Sequence, residues 1–225
     1  MNIGLLVCDH IQEEFPGYPE LFKTILPQNQ FEIFNVCDRE FPKSLSYCDA
    51  WIITGSKFSV YDDIDWIIQL KSFVRDISIA DKYCIGVCFG HQMLGEAMGG
   101  KVQKSEKGWC VGVHQFEILK RENWMTPFLP NLNLLMSCQD QIKVLPENSV
   151  ILAQSPICPV GIIQIGDKML GIQGHPEFSA EYVKSLMMDR TNRIGKELVK
   201  VGIESLKAST QSLVLAEWIN NFLNQ

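Results

Sequence analysis

The most restrictive stretch of the chain is Lys82 to Gly100, KYCIGVCFGHQMLGEAMGG. Cys84 to Val87 is apolar enough for a buried strand, and about His91 to Met98 reads as a helix closed by Gly99-Gly100. Between them stands Gly86-Val87-Cys88-Phe89-Gly90, the Gly-x-nucleophile-x-Gly spacing of a nucleophile elbow. Such a turn is sharp, and a Cβ on either flank of the central residue would collide with it, hence the glycines. The turn would project the Cys88 sulfur above a sheet at a helix N-terminus, where free N–H groups favour the attacking thiolate. A buried packing thiol in an ordinary strand-turn-helix fits the same stretch.

The elements ahead of the elbow alternate. Asn2 to Cys8 is a continuous apolar strand of the kind a sheet buries on both faces, and it reads as a strand rather than a signal peptide. Tyr18 to Leu26 is helical until Pro27, Phe31 to Val36 alternates like a strand, and Ala50 to Ile53 is a third strand ending in Thr54-Gly55-Ser56. Asp62 to Ile79 is an amphipathic helix with Asp63 or Asp65 near its start. This order predicts an α/β fold, a doubly wound and mostly parallel sheet. After Gly100 come short strands separated by turn signals: Gly112 to Leu119, Leu134 to Ser137, Ile142 to Val144, Val150 to Gln154, Val160 to Ile165 and Met169 to Gln173. They predict a small antiparallel sheet added to the same core. Ser179 to Met188, capped by Ser179, Asn192 to Val201 and Gln211 to Leu223 are helical. No repeat or linker divides residues 1–225, so one domain is expected.

Composition excludes several classes of function. The 225 residues are 46% hydrophobic and 20% charged, as in a folded soluble protein. A net charge of −6 without a basic run speaks against nucleic acid. No apolar run approaches the roughly 18 residues of a membrane span. Of the eight cysteines, Cys8, Cys84 and Cys158 sit in or beside strand-like runs, and there is no Cys-x-x-Cys and no metal-type cluster. A reduced, cytoplasmic protein that needs neither metal nor cofactor is the expectation.

A nucleophilic cysteine needs a base, and the base needs a group to orient it. The four histidines are His10, His91, His114 and His175. His91, three residues past Cys88, reads as facing the pocket wall or solvent, and His114 has nothing catalytic beside it. His175 stands in Gln173-Gly174-His175-Pro176-Glu177. Pro176 biases His175 toward extended backbone, and residues i and i+2 of an extended segment point the same way. Glu177 can therefore orient His175. Alone, His-Pro-Glu is as well read as a surface turn; with an elbow cysteine upstream, a Cys88–His175–Glu177 triad explains it better. An oxyanion hole also needs two N–H donors. Phe89, next to the nucleophile, supplies one, and Ser56, with Gly55 as the near alternative, supplies the other.

Gly86-Val87-Cys88-Phe89-Gly90-His91-Gln92 together with Gly174-His175-Pro176-Glu177 resembles the class I, triad-type glutamine amidotransferases, and the similarity runs through most of the chain. Ser56 to Trp66 (SKFSVYDDIDW) resembles the stand-alone GMP-synthase-like branch, which includes plant γ-glutamyl peptidases. The resemblance implies a flavodoxin-like fold and cleavage of a γ-glutamyl amide through a γ-glutamyl thioester. Cys88 would be nucleophile, His175 base and Glu177 orienting acid. Gln92 and the stretch Ser137-Cys138-Gln139-Asp140 would hold the amino-acid end of glutamine or of another γ-glutamyl molecule; a solvated turn fits Gln139 and Asp140 equally well. Three positions depart from the pattern. Cys138 stands where the family often has His, Gly174 where many members carry a bulky residue, and Ser56-Lys57 where Gly-Pro is usual. Gly174 would open room for a larger substrate, and Lys57 and Phe58 would line the entrance. Three readings follow: a glutamine-hydrolysing protein that needs a separate ammonia-accepting synthetase, a self-sufficient γ-glutamyl peptidase, or a non-catalytic binding module on the same fold.

Overall fold

The computed structural model describes Met1 to Gln225. Its centre is a nine-stranded sheet built from β1 (Asn2–Leu6), β2 (Gln30–Phe34), β3 (Ala50–Ile53), β4 (Tyr83–Val87), β6 (Cys110–Ile118), β7 (Asn131–Cys138), β9 (Ser149–Gln154), β10 (Ile162–Ile165) and β11 (Met169–Ile172), in the order β2-β1-β3-β4-β11-β10-β9-β6-β7. The first five strands in that order are parallel. Their arrangement is the flavodoxin-like doubly wound one, with β11 in the fifth place. The other four continue the sheet antiparallel. The expected antiparallel strands thus mostly extend the main sheet. Only β5 (Lys101–Lys104) and β8 (Asp140–Val144) form a separate two-stranded sheet.

The strands alternate their side chains between two cores. Along β3, Ala50 and Ile52 face a cluster shared with α1 (Tyr18–Ile25), α4 (Ala180–Asp189), α6 (Lys196–Ser205) and α7 (Ser212–Leu223). Trp51 and Ile53 face a second cluster under α2 (Asp65–Ile79) and α3 (Phe89–Ala97). Ser179 caps α4 as expected, its side chain accepting the Tyr182 N–H at 3.1 Å. The predicted helix at 192–201 is instead two pieces, α5 (Thr191–Ile194) and α6, broken at Gly195 with φ 98°. Only glycine adopts that conformation without strain. β5 was not anticipated because KVQK buries a single residue, Val102, and leaves no period to read. No helix is long and apolar enough to cross a membrane.

The parallel strands all deliver their C-terminal ends to one edge. After β1 come Cys8 and Asp9, after β3 come Thr54 to Ser56, after β4 comes Cys88, and after β11 comes the His175 segment. Open α/β sheets form their sites at such an edge.

Candidate active site

The elbow forms as its glycines predict. Cys88 sits between β4 and α3 with φ 52° and ψ −101°, a conformation costing on the order of 1–3 kcal/mol for a residue with a Cβ. Its N–H donates to the Ile172 carbonyl at 2.8 Å, which ties the turn to β11. A Cβ on Gly86 would lie 2.3 Å from the Gly90 carbonyl oxygen, and one on Gly90 would lie 2.3 Å from that of Ile53. Both flanks are glycine because backbone passes there at van der Waals contact. Phe89 opens α3, so its N–H has no intrahelical acceptor.

His175 continues the sheet by one bridge, its N–H donating to the Leu135 carbonyl at 2.9 Å. That extended backbone aims His175 and Glu177 together, and His175 Nδ1 meets Glu177 Oε1 at 2.8 Å. Phe178 stacks on the imidazole with centroids 4.0 Å apart and planes 9° from parallel, fixing the ring's orientation. Burial by itself would depress the ring's pKa. The Glu177 carboxylate and the Cys88 sulfur outweigh it and push the value up to about 10. Gly55 shows how close the parts stand: a Cβ there would lie 3.0 Å from His175 Cε1, 3.8 Å from Cys88 Cβ and 2.8 Å from the Tyr18 hydroxyl.

The loop after β3 is tied to the end of β1. The Cys8 N–H donates to Thr54 Oγ1 (2.9 Å), the Ser56 hydroxyl to the Cys8 carbonyl (2.9 Å) and the Lys57 N–H to Asp9 Oδ2 (2.9 Å). The Thr54 hydroxyl donates to the Gly55 carbonyl at 3.1 Å. The Gly55–Ser56 peptide is planar and trans, so the Ser56 N–H points away from Thr54. That N–H donates to no group in the protein.

Cys88 opens onto a cleft of about 210 Å³ whose walls include Ser56, Gln92 and the whole run Ser137 to Asp140. Asp140 is fixed, accepting from the Ser59 hydroxyl at 2.6 Å and the Tyr61 hydroxyl at 3.1 Å. Gln92 spends its amide nitrogen on the Asp140 carbonyl (2.7 Å) and on Gln173 Oε1 (3.1 Å), so it braces the wall as well as lining it. The neighbouring Cys110 thiol, then burial, hold Cys138 well above the ordinary thiol range, so it faces the cleft uncharged. Lys57 and Phe58 stand at the same cleft, where the entrance was expected.

Two expectations fail. Gly174 opens no room, because a Cβ there would lie 2.9 Å from Leu134 Cβ and 3.2 Å from Met136 Sδ. The strand β7 packs against it and leaves nothing for a substrate. His91 faces neither the pocket nor solvent. It is fully buried on the other face of the sheet, where a Cβ on Gly171 would come within 2.7 Å of its Nδ1. Sequence reasoning also passed over Ser59, Tyr61 and Gln173 as site residues, although the first two lie inside the stretch Ser56 to Trp66. Arg190 and Arg193, which line the cleft, carry no local motif at all.

Fold and site together define an α/β protein that presents a cysteine on a nucleophile elbow beside a buried His–Glu pair. The model of the glutamine amidotransferase class-I family matches residues 28–191, and the chain belongs to that family. Gamma-glutamyl peptidase 4 of Arabidopsis thaliana is 33% identical over 192 residues, covering 81% of this chain and 75% of that protein. One chain of the glutamine-hydrolyzing GMP synthase of Methanosarcina acetivorans is 32% identical over 108 residues, 48% of this chain and 55% of that one. A glutamine amidotransferase structure from Thermotoga maritima superposes with a TM-score of 0.82 at 17% identity, over 100% of this chain and 98% of that one, and so shares the fold. Family and relatives alike support an enzyme of the amidohydrolase or amidotransferase kind.

Proposed function

We propose that the chain hydrolyses a γ-glutamyl amide with Cys88 as nucleophile, His175 as acid and base, and Glu177 as the group that orients and charges the imidazole. The observation that carries this reading is the 2.8 Å bond from His175 to Glu177, clamped by Phe178 at the cavity that the strained Cys88 also lines. With the proton already on His175, the Cys88 sulfur adds to the γ-carbonyl carbon as a thiolate. The N–H groups of Phe89 and Ser56 receive the developing oxyanion, with Gly55 letting the loop approach. The C–N bond then breaks, the leaving nitrogen takes the proton from His175, and a γ-glutamyl thioester stays on Cys88. Water, deprotonated by His175, adds to the thioester; glutamate leaves, the sulfur is expelled as a thiolate and His175 keeps the proton. Asp140 and Gln92, with Ser137, Cys138 and Gln139, hold the glutamyl end, the Asp140 carboxylate suiting its ammonium.

The test is to incubate the purified protein with glutamine and with γ-glutamyl dipeptides and to measure ammonia and free glutamate. Turnover that survives Cys88→Ala overturns the mechanism. Ammonia from glutamine that rises on adding a separate synthetase favours the amidotransferase reading. The peptidase reading is supported by the Arabidopsis relative, which matches four fifths of this chain, and it expects dipeptides to be cleaved without a partner. Binding of γ-glutamyl compounds with no thioester at Cys88 would leave only the non-catalytic module.

A further inference from the structure

The cleft beside Cys88 is more cationic than glutamine requires. Its walls carry Lys57, Lys104, Arg190 and Arg193 against Asp62 and Asp140, in a chain whose net charge is −6. Lys57 is neutralised by Asp9 at 2.9 Å. Of the eight ion pairs in the molecule, none includes Lys104, Arg190 or Arg193. Basic residues near the end of a helix also complement its dipole, which accounts for Arg190 after α4. It does not account for both arginines turning into the same cleft. Arg190 reaches the Ser137 hydroxyl at 3.5 Å and lines both this cleft and the small cavity that holds His175. Arg193 is held with its guanidinium 5.4 Å from the centre of the Trp109 ring. Such a stacked guanidinium keeps its hydrogen-bonding edge free and loses little entropy on meeting a carboxylate.

Glutamine is a zwitterion, with one ammonium and one carboxylate. A γ-glutamyl amino acid or peptide has a second carboxylate, on the leaving group. Resting on the hydrolase reading above, we infer that Arg190 and Arg193, backed by Trp109, form a subsite for that second carboxylate. The substrate class is then an anionic γ-glutamyl amino acid or peptide, and the products are glutamate and the released amino acid or peptide. Asp140, fixed by Ser59 and Tyr61, supplies the opposite charge at the ammonium.

The probes are γ-glutamylglycine and γ-glutamylmethylamide, which share the scissile amide and differ in the leaving group's carboxylate. Calorimetric titration of the Cys88→Ala protein measures binding without turnover. γ-Glutamylglycine should bind roughly 10- to 100-fold tighter, the scale of charge-assisted hydrogen bonds. Arg190→Gln or Arg193→Gln in that background should collapse the ratio toward one, and Arg193→Lys should restore part of it. Equal affinity for the two probes, or a parallel loss of both in the Gln variants, overturns the subsite and assigns the arginines to the glutamyl end or to the fold. The active chain separates this from the hydrolase reading. Selective binding with neither probe cleaved sinks the hydrolase and leaves the subsite standing. Cleavage of both at equal kcat/KM does the reverse.

Discussion

His175 and His91 are buried alike, 3% and 0% exposed, on opposite faces of one sheet, and their protons behave in opposite ways. Burial lowers both. For His91 nothing charged answers it, and the pKa falls from 6.5 to about 4. For His175 the Glu177 carboxylate and the Cys88 sulfur reverse the sign, and the value rises to about 10. The same side chain is thus an inert packing group on the α2–α3 face and a charge-bearing one on the α1–α4 face. What separates them is a carboxylate two residues away and the Cys88 sulfur beside it.

The largest effect expected is at the charged histidine's neighbour. Cys88→Ala should lower γ-glutamyl hydrolysis by at least about 10⁴-fold, because the other sulfur at the cleft, Cys138, is held uncharged by Cys110 and burial. Residual turnover within tenfold of the native rate, measured as released glutamate, would break the link between the charged ring and chemistry. Next comes Glu177→Gln, which keeps the shape and removes the charge that opposes burial. A loss of about 10²- to 10⁴-fold is expected. The alkaline limb of the kcat/KM profile should also move to lower pH, since the ring then gives up its proton sooner. An unmoved limb would mean that Glu177 does not set the charge of His175.

His91 supplies the converse test, in stability rather than rate. Its folded pKa lies below its unfolded one, so its contribution is complete above about pH 6.5 and is lost as pH falls toward about 4. The loss at the acid end is about 3 kcal/mol, from the size of the shift. Urea midpoints of the native protein and of His91→Leu, compared at pH 7 and pH 4.5, should show the variant losing less on acidification. Equal losses would show that His91 is not held neutral in the fold.

These two histidines also mark how far the sequence could be read. Cys88, its flanking glycines, and His175 with Glu177 were legible because each constraint is local: a strand-turn-helix spacing, and an i, i+2 pair on extended backbone. The β3 strand and the parallel order were legible for the same reason, as short apolar runs with turn signals. The fate of His91 was not, because which face a helix residue presents depends on Gly171, eighty positions away. The misjudged Gly174 has the same origin, since its space is occupied by Leu134 and Met136 of a strand whose pairing no local signal specifies. Arg190 and Arg193 lie just past a helix whose sequence says nothing of the cleft it will border.

The smallest effect tests whether the wall at Asp140 works independently of the His175 side. Tyr61 donates to Asp140 Oδ1 at 3.1 Å while Ser59 holds Oδ2 at 2.6 Å. Tyr61→Phe removes one of these bonds and leaves the other, a loss of about 0.5–1.5 kcal/mol. Asp140 is proposed to meet the substrate's ammonium in the ground and transition states alike. The variant should therefore raise KM by roughly 2- to 10-fold with kcat nearly unchanged, the signature of uniform binding. Adding Ser59→Ala should cost more than the two single changes combined, because the carboxylate then has neither hydroxyl to hold its position. A fall in kcat without a change in KM would place Tyr61 and Asp140 with the triad, and the division of the site into a charged proton-transfer side and a substrate-holding wall would fail.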